Sequence, residues 1–234
     1  MESLYIVMPA YNEEANIENV VRGWYPCLSG KSEDSRLVIA DTGSKDKTHE
    51  ILLGLKEEFP QLEVFTECEK QHGPKLIALY NYAISKKADF IFQTDSDGQT
   101  NPDEFKEFWD NRHEHSVILG NRVVRGDGAS RKFVEVFLCM LLRIIFGVKV
   151  KDSNAPFRLM KVNTVKKYMP RFKADYNLPN VMLTTFFAYY KEDMEYKVIT
   201  FKSRQGGKNS INLGKIIKIG YKALGDFFAF KKQM

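Results

Sequence analysis

Asp95 and Asp97 stand one residue apart in Thr94-Asp95-Ser96-Asp97-Gly98-Gln99, directly after the apolar run Phe90 to Phe92. Short apolar runs bounded by turn residues read as buried strands. Carboxylates following such a run emerge at the strand's carboxyl end, where open α/β sheets place their ligands. With the Gln99 amide they make an oxygen-only donor set, which suits Mg²⁺ or Mn²⁺ better than zinc or copper. Mg²⁺ usually takes one or two protein carboxylates and completes its shell with substrate phosphate oxygens. The chemistry indicated is therefore the handling of a metal-bound diphosphate. By itself an Asp-x-Asp in a loop also fits a solvated turn.

Two further turns of the same kind lie upstream. Leu4 to Met8 is an apolar run that ends in Pro9-Ala10-Tyr11-Asn12-Glu13-Glu14, and Leu37 to Ala40 ends in Asp41-Thr42-Gly43-Ser44-Lys45-Asp46. In a parallel sheet such turns share one rim, so Glu13, Asp41, Asp95 and Asp97 are expected to converge on one ligand. Each has a plainer reading beside this one. Glu13 also suits the first turn of a helix, where an acid complements the macrodipole, and Asp41 also suits a turn start.

The elements that must carry these turns alternate. Glu14 to Tyr25 has Ile17, Val20, Val21 and Trp24 at helical spacing, and Thr48 to Phe59 repeats the pattern with Ile51, Leu52, Leu55 and Phe59. Leu62 to Phe65 returns as a strand, Lys75 to Ser85 as a helix, and Val117 to Leu119 as another buried strand. Asn101-Pro102-Asp103-Glu104 is a helix start, with an Asn cap, Pro at the first position and Glu at the third. This βαβ alternation predicts an α/β fold whose central sheet is mostly parallel, with helices on both faces.

After Arg122 the pattern changes. Residues 125–131 read as an exposed loop, and Phe133 to Phe146 is an almost wholly apolar helix interrupted by Glu135 and Arg143. A strand follows through Met160, and Val198 to Phe201 is expected as the last strand. A glycine-bearing loop spans Arg204 to Ser210, and Leu213 to Phe230 reads as a terminal amphipathic helix. We divide the chain into a catalytic domain over residues 1–210 and a basic amphipathic helix over residues 211–234.

The 234 residues, 44% of them hydrophobic, suffice for one substantial core. No apolar stretch reaches the roughly 18 residues that span a bilayer. The amino terminus lacks a signal peptide's basic start and longer apolar core. Cys27, Cys68 and Cys139 share no metal spacing and read as reduced residues of a cytoplasmic protein. The net charge of +5 is uneven: from Phe201 onward there are eight Lys or Arg against one acid, which leaves the first 200 residues two charges negative. That asymmetry predicts an anionic partner at one end and no general affinity for nucleic acid.

The Pro-Ala-Tyr-Asn-Glu turn, the Asp-x-Gly-Ser-x-Asp-x-Thr turn and the Asp-x-Asp-x-Gln stretch, in this order and spacing, resemble the family-2 glycosyltransferases of the Rossmann-like GT-A fold. Within that family the chain is most similar to the branch of dolichol-phosphate mannose synthase and the polyprenyl-phosphate glycosyltransferases. The likeness is good from Leu4 to Arg158 and looser beyond. It implies that Pro9, Ala10, Tyr11, Glu13 and Asp41 hold the nucleoside of a nucleotide-sugar, with Asp41 accepting from the base. Asp95 is implied at the ribose or the metal, Ser96 beside it, and Asp97 and Gln99 on the metal, Mg²⁺ or Mn²⁺. Gly98 departs from the larger residue that relatives often carry.

Gly120-Asn121-Arg122 resembles the family's Gly-x-Arg turn, whose arginine pairs with phosphate through its planar fork. Arg131 and Arg125 lie on the next loop, where relatives place arginines that reach the diphosphate or the acceptor phosphate. Arg204 and Lys208 are further candidates for that phosphate. Gln71-His72-Gly73-Pro74-Lys75 stands where relatives put small residues. Pro74 departs from that pattern and suits a helix start, and His72 reads as a polar loop residue. Asp152 to Arg158 resembles the segment on the acceptor side. There Asp152 is the candidate general base, or else a turn acid, and Arg158 a cation for the acceptor phosphate.

The function implied is a metal-dependent, inverting transfer of a hexose from a UDP- or GDP-sugar to a lipid phosphate at the cytoplasmic face of a membrane. Attachment would be peripheral or through a membrane-protein partner. A hydroxyl acceptor on a polysaccharide, glycolipid or protein is the nearest alternative, and a non-catalytic nucleotide-sugar-binding module is another. A nucleotidyltransferase would carry a Gly-rich, basic first βα turn, whereas Pro9 to Glu14 is acidic and has no glycine. In the terminal helix Leu213, Ile216, Ile217, Gly220, Leu224, Phe227 and Phe228 form one face, flanked by Lys215, Lys218 and Lys222. That pattern is expected either of an interfacial membrane helix or of packing on the fold.

Overall fold

The computed structural model describes residues 1–123, 129–203 and 223–234. One seven-stranded sheet organises them, in the order β3-β2-β1-β4-β6-β5-β7. The strands are β1 (Leu4–Ala10), β2 (Arg36–Asp41), β3 (Leu62–Phe65), β4 (Phe90–Thr94), β5 (Val117–Asn121), β6 (Phe157–Lys161) and β7 (Met194–Val198). β6 runs antiparallel to both its neighbours, β4 and β5, and every other pairing is parallel.

The central strands are buried on both faces, which is why they read as unbroken apolar runs. Alternation sends Tyr5, Val7, Val38, Ile91 and Met160 to one side, against α3 (His72–Ser85), α5 (Ala129–Phe146), α6 (Val162–Lys166) and α7 (Pro179–Tyr189). Leu4, Ile6, Met8, Leu37, Ile39 and Phe92 face the other side, against α1 (Ile17–Trp24), α2 (Thr48–Glu58) and α4 (Phe105–Asp110). In the second layer Trp24 packs 5.3 Å from Phe92 and 5.8 Å from Phe157, ring centroid to ring centroid.

Three expectations need adjusting. The last strand lies at Met194–Val198, ahead of the anticipated Val198 to Phe201, because an edge strand needs only one apolar face and the polar Glu195 and Lys197 occupy the other. Beyond it Ile199 N–H still donates to Asn121 O, and Phe201 makes a single bridge with Thr100. α3 begins at His72, three residues before Lys75; Pro74 is tolerated in the first turn, where its missing N–H leaves no bond unmade. Of the terminal helix, residues 213–222 lie outside the described residues. Residues 223–231 are helical, and this part turns Phe227 and Phe230 into the core against Phe146, Tyr176 and Phe186. The described part of the helix is thus packed on the fold. No helix among the described residues is long and apolar enough to cross a membrane.

Candidate active site

The carboxyl ends of β1, β2, β4 and β5 open on one rim. Because β6 runs the other way, with Thr94 paired to Phe157, its amino end lies on that rim too. Residues from 152 to 156 therefore meet the turns that follow the parallel strands.

On the β1–β2 side the turns are laced together. Ser44 Oγ donates to Asp41 Oδ1 and also accepts from Asn12 N–H, and Lys45 N–H donates to Asn12 Oδ1 at 2.8 Å. Glu13 is buried; its N–H donates to Thr48 Oγ1, and its Oε2 accepts from Asn16 Nδ2 at 3.0 Å. Asp41 is buried at the end of β2, with His49 Nδ1 3.1 Å from its Oδ2. Asp46 accepts from Thr48 N–H, Thr48 Oγ and Glu14 N–H. Burial alone would raise the Asp46 carboxyl, but these bonds hold it below the ordinary carboxylate value.

Lys75 is buried under the same turn. Its ammonium donates to Ala10 O and lies 5.6 Å from the centre of the Tyr11 ring, while Lys70 Nζ lies 5.4 Å from that ring. Burial pulls the Lys75 ammonium below its ordinary value, partly offset by the charge of Asp41. Gly73 lets the start of α3 pack closely on the Asn177 backbone, which a Cβ there would approach within 2.5 Å.

The β4 turn joins this cluster. Ser96 Oγ donates to Pro9 O at 2.8 Å, so Pro9, Ala10, Tyr11, Glu13, Asp41, Asp95 and Ser96 share one end of the sheet. Asp95 Oδ1 lies 3.3 Å from His72 Nε2 and accepts from Gln93 Nε2 at 3.3 Å. A buried relay stands behind that contact. Tyr80 O–H donates to Asn180 Oδ1 at 2.6 Å, and Asn180 Nδ2 donates to Gln93 Oε1 at 2.9 Å.

Asp97 Oδ1 accepts from Gln99 N–H at 3.2 Å, and the Gln99 amide nitrogen donates to Lys202 O at 2.7 Å. That bond assigns the nitrogen to the backbone and leaves the oxygen as the opposite end of the amide. Among the described residues no three of His, Cys, Asp or Glu gather as a metal-holding group. The donors offered are two carboxylates and an amide oxygen, which fit a hard divalent cation that draws its remaining ligands from phosphate and water.

On the β5–β6 side Arg122 grips Asp152 through two bonds, Nε to Oδ2 at 2.7 Å and Nη2 to Oδ1 at 2.8 Å. Both side chains are nearly closed to solvent, at 6% and 4% exposure. The guanidinium carbon lies 5.0 Å from the centre of the Phe201 ring. Glu135 Oε2 is 3.8 Å from Arg122, and its Oε1 accepts from both the N–H and the Oγ of Ser153. Lys202 N–H donates to Gln99 O, so the 199–202 strip links the Asp97 turn to Arg122.

Arg158, anticipated as a cation facing the acceptor, instead lies inside the sheet with no exposed surface. It donates to Ala155 O from Nε and Nη2, and to Asn180 O from Nη1. Its position in mid-strand dictates this, since its Cα partners are Gln93 and Leu119. Burial pulls its guanidinium below the ordinary value. Arg131 lies in the first turn of α5, whereas Arg125, Arg204 and Lys208 lie outside the described residues.

Lys75, Gln93, Glu135 and Asn180 were not singled out by spacing. Glu135 did carry a signal, being the one acid in an apolar run, whereas Gln93 merely follows the run Phe90 to Phe92. Lys75 and Asn180 had none, because their partners are remote in sequence.

A model of the family described as Glycosyl transferase family 2 matches residues 5–179. A dolichyl-phosphate beta-glucosyltransferase of Trichomonas vaginalis is 25% identical over 178 residues, covering 70% of this chain and 54% of that protein. An undecaprenyl-phosphate 4-deoxy-4-formamido-L-arabinose transferase of Pseudomonas aeruginosa is 23% identical over 162 residues, covering 69% and 48%. The chain thus spans about half the length of these curated relatives. Among solved structures, glucosyl-3-phosphoglycerate synthase of Mycobacterium tuberculosis, in complex with Mn²⁺, UDP-glucose and glycerol 3-phosphate, superposes with a TM-score of 0.68 at 15% identity. That match covers 98% of this chain and 80% of the other, and it is a likeness of fold.

Proposed function

Since the chain belongs to glycosyl transferase family 2, we propose that it is a metal-dependent inverting glycosyltransferase that moves a hexose from a UDP- or GDP-sugar to a lipid phosphate. The acceptor would be of the dolichyl or polyprenyl class. The observation that carries this choice is the buried fork between Arg122 and Asp152. A hydroxyl acceptor needs a general base, whereas a carboxylate gripped through both oxygens by a guanidinium is a poorer proton acceptor than a free one. A phosphate acceptor is already anionic near neutral pH, its second pKa being about 6, and needs cations to hold it in line. The names of the Trichomonas and Pseudomonas relatives, which act on dolichyl and undecaprenyl phosphates, favour the same acceptor class.

In this reading Pro9, Ala10, Tyr11, Glu13 and Asp41 hold the nucleoside, and Asp95 and Ser96 the ribose side. Asp95, Asp97 and Gln99 would hold Mg²⁺ or Mn²⁺, which when bound stabilises negative charge on a departing diphosphate. Arg122 and Arg131 orient the phosphates, with Arg204 and Lys208 as further contacts. Asp152 aims the Arg122 fork, and Arg158 is a positioning residue that fixes the Ala155 carbonyl beneath the acceptor segment. The acceptor phosphate oxygen bonds to the sugar's anomeric carbon as the bond from that carbon to the diphosphate oxygen breaks. Attack from the opposite face inverts the centre. The reaction would take place at the cytoplasmic face of a membrane.

The test is transfer from UDP- and GDP-hexoses, with Mn²⁺ or Mg²⁺, to a short-chain prenyl phosphate and to the matching prenyl alcohol. A glycosyl phosphodiester formed from the phosphate alone is expected. Transfer only to the alcohol would reject the acceptor assignment, and no product from either would reject the activity.

A further inference from the structure

α5 is divided lengthwise between core and surface. Leu142 and Phe146 are buried and Leu138 and Ile145 pack against the core beside them. On the opposite face Phe133, Val136, Phe137, Met140 and Ile144 are exposed by 72%, 61%, 48%, 48% and 71%. Their three-four spacing makes one stripe along the helix. Scattered exposed apolar residues are ordinary, whereas a continuous stripe of large ones marks a surface that something covers.

The charges around the stripe say what kind of surface. Residues 129–151 contain Arg131, Lys132, Arg143, Lys149 and Lys151 against the single acid Glu135. Glu135 is turned inward, where it accepts from the N–H and Oγ of Ser153. Lys132, Arg143, Lys149 and Lys151 are exposed, and none pairs with a carboxylate among the described residues. Among the described residues, the exposed charges of the helix and of the segment just after it are therefore cations.

We infer that this face of α5 lies flat on an anionic lipid surface. An apolar stripe bordered by Lys and Arg is the build of an interfacial helix, and each well-placed cation adds attraction to anionic headgroups. A second copy of the chain fits less well. A two-fold pairing repeats the same patch on both sides, so it would set these cations against one another with no exposed carboxylate on the helix to answer them. The terminal helix does not compete for this role in its described part, where Phe227 and Phe230 are buried in the core. The inference deepens the lipid-phosphate reading and rests on it for its purpose. α5 begins just beyond Arg122, and its Glu135 holds the Ser153 turn, so a bilayer against the stripe would bring headgroups to the acceptor side of the rim.

The test is flotation of the full chain at low salt, with phosphatidylcholine vesicles that contain or lack phosphatidylglycerol. Binding is expected to the anionic vesicles only. The double variant Phe133→Ser/Ile144→Ser should lower the bound fraction about tenfold while leaving the melting temperature unchanged, and Lys132→Gln/Lys149→Gln should act in the same direction. Wild-type protein that stays in the aqueous phase would overturn the inference. So would undiminished binding by the apolar variant, or a wild-type dimer that the same substitutions split. Transfer to the water-soluble short-chain prenyl phosphate, measured without vesicles, reads the acceptor proposal separately.

Discussion

Arg122 and Asp152 face each other across the junction of β5 and the segment that leads into β6, joined by two bonds of 2.7 and 2.8 Å in a pair nearly closed to solvent. Two residues expected to act separately, a cation on phosphate and a base on a hydroxyl, therefore form one unit. Removing either partner strands a buried charge, which typically costs about 3–5 kcal/mol, whereas replacing both with apolar residues is often close to neutral. We expect Arg122→Ala and Asp152→Ala each to lower stability in urea unfolding, and Arg122→Met/Asp152→Leu to recover most of the loss without recovering transfer. Additive losses in the double variant would show the two residues to be energetically independent.

Asp152→Asn separates the acceptor chemistries. With a phosphate acceptor its main effect should be weaker use of the acceptor, read as a raised KM. A loss of about 10²–10⁴-fold in turnover with unchanged acceptor KM would identify Asp152 as a general base and the acceptor as a hydroxyl.

Asp97→Ala is expected to abolish transfer while leaving the far-ultraviolet circular dichroism unchanged. In thermal-shift measurements the wild type should be stabilised by UDP- or GDP-sugar more strongly with Mn²⁺ than with a chelator, because a ligand that binds only the native state raises apparent stability. The variant should lose that difference. A metal-dependent shift that survives in Asp97→Ala would remove this carboxylate from the metal site.

Acid should loosen the turns after β1 and β2 through Asp46. Its folded carboxyl titrates below the ordinary 3.8 because Thr48 and Glu14 bonds outweigh burial. The sign follows from linkage: a depressed acid stabilises the fold above its unfolded value and loses that contribution as pH falls through the folded value. The melting temperature of wild type should therefore fall more steeply below pH 3.8 than that of Asp46→Asn. Parallel curves for the two proteins would contradict the assignment.

Gly73→Ala probes the seat of α3. The added Cβ would sit 2.5 Å from the Asn177 backbone, and overpacking of this kind commonly costs about 1–3 kcal/mol. We expect a lowered melting temperature together with a raised KM for the donor, since α3 carries Lys75 under the Ala10–Tyr11 turn. An unchanged donor KM in a destabilised variant would uncouple the helix position from that turn.

The alternation of apolar runs and acidic turns in the first half made the parallel sheet and its rim legible, because each strand there is followed by the helix that covers it. β7 was misplaced for the opposite reason: an edge strand that alternates Glu195 and Lys197 with Met194 and Tyr196 carries no apolar run. Among candidate site residues, those in turns directly after strands were readable from spacing. The Tyr80–Asn180–Gln93 relay and the inward Glu135 were not, because their partners lie far along the chain and only packing brings them together. Arg158 reads in the sequence as a cation for the acceptor phosphate; its place within β6 puts it in the interior.

The reversed strand β6 has a consequence for how the molecule assembles. β1 to β4 pair among themselves, but β5 reaches the rest of the sheet solely through β6, and β6 is made later in the chain than β5. Until it inserts, the Phe90–Thr94 edge stays open, a template for wrong strand pairing. Distant pairings also form slowly because loop closure precedes their reward. Pulse-labelled hydrogen exchange during refolding should protect Ile6, Val38 and Ile39 before Ile118 and Leu159, and simultaneous protection would refute this order. On a synthesising ribosome β1 to β4 can pair while β5 still waits for β6 to be made.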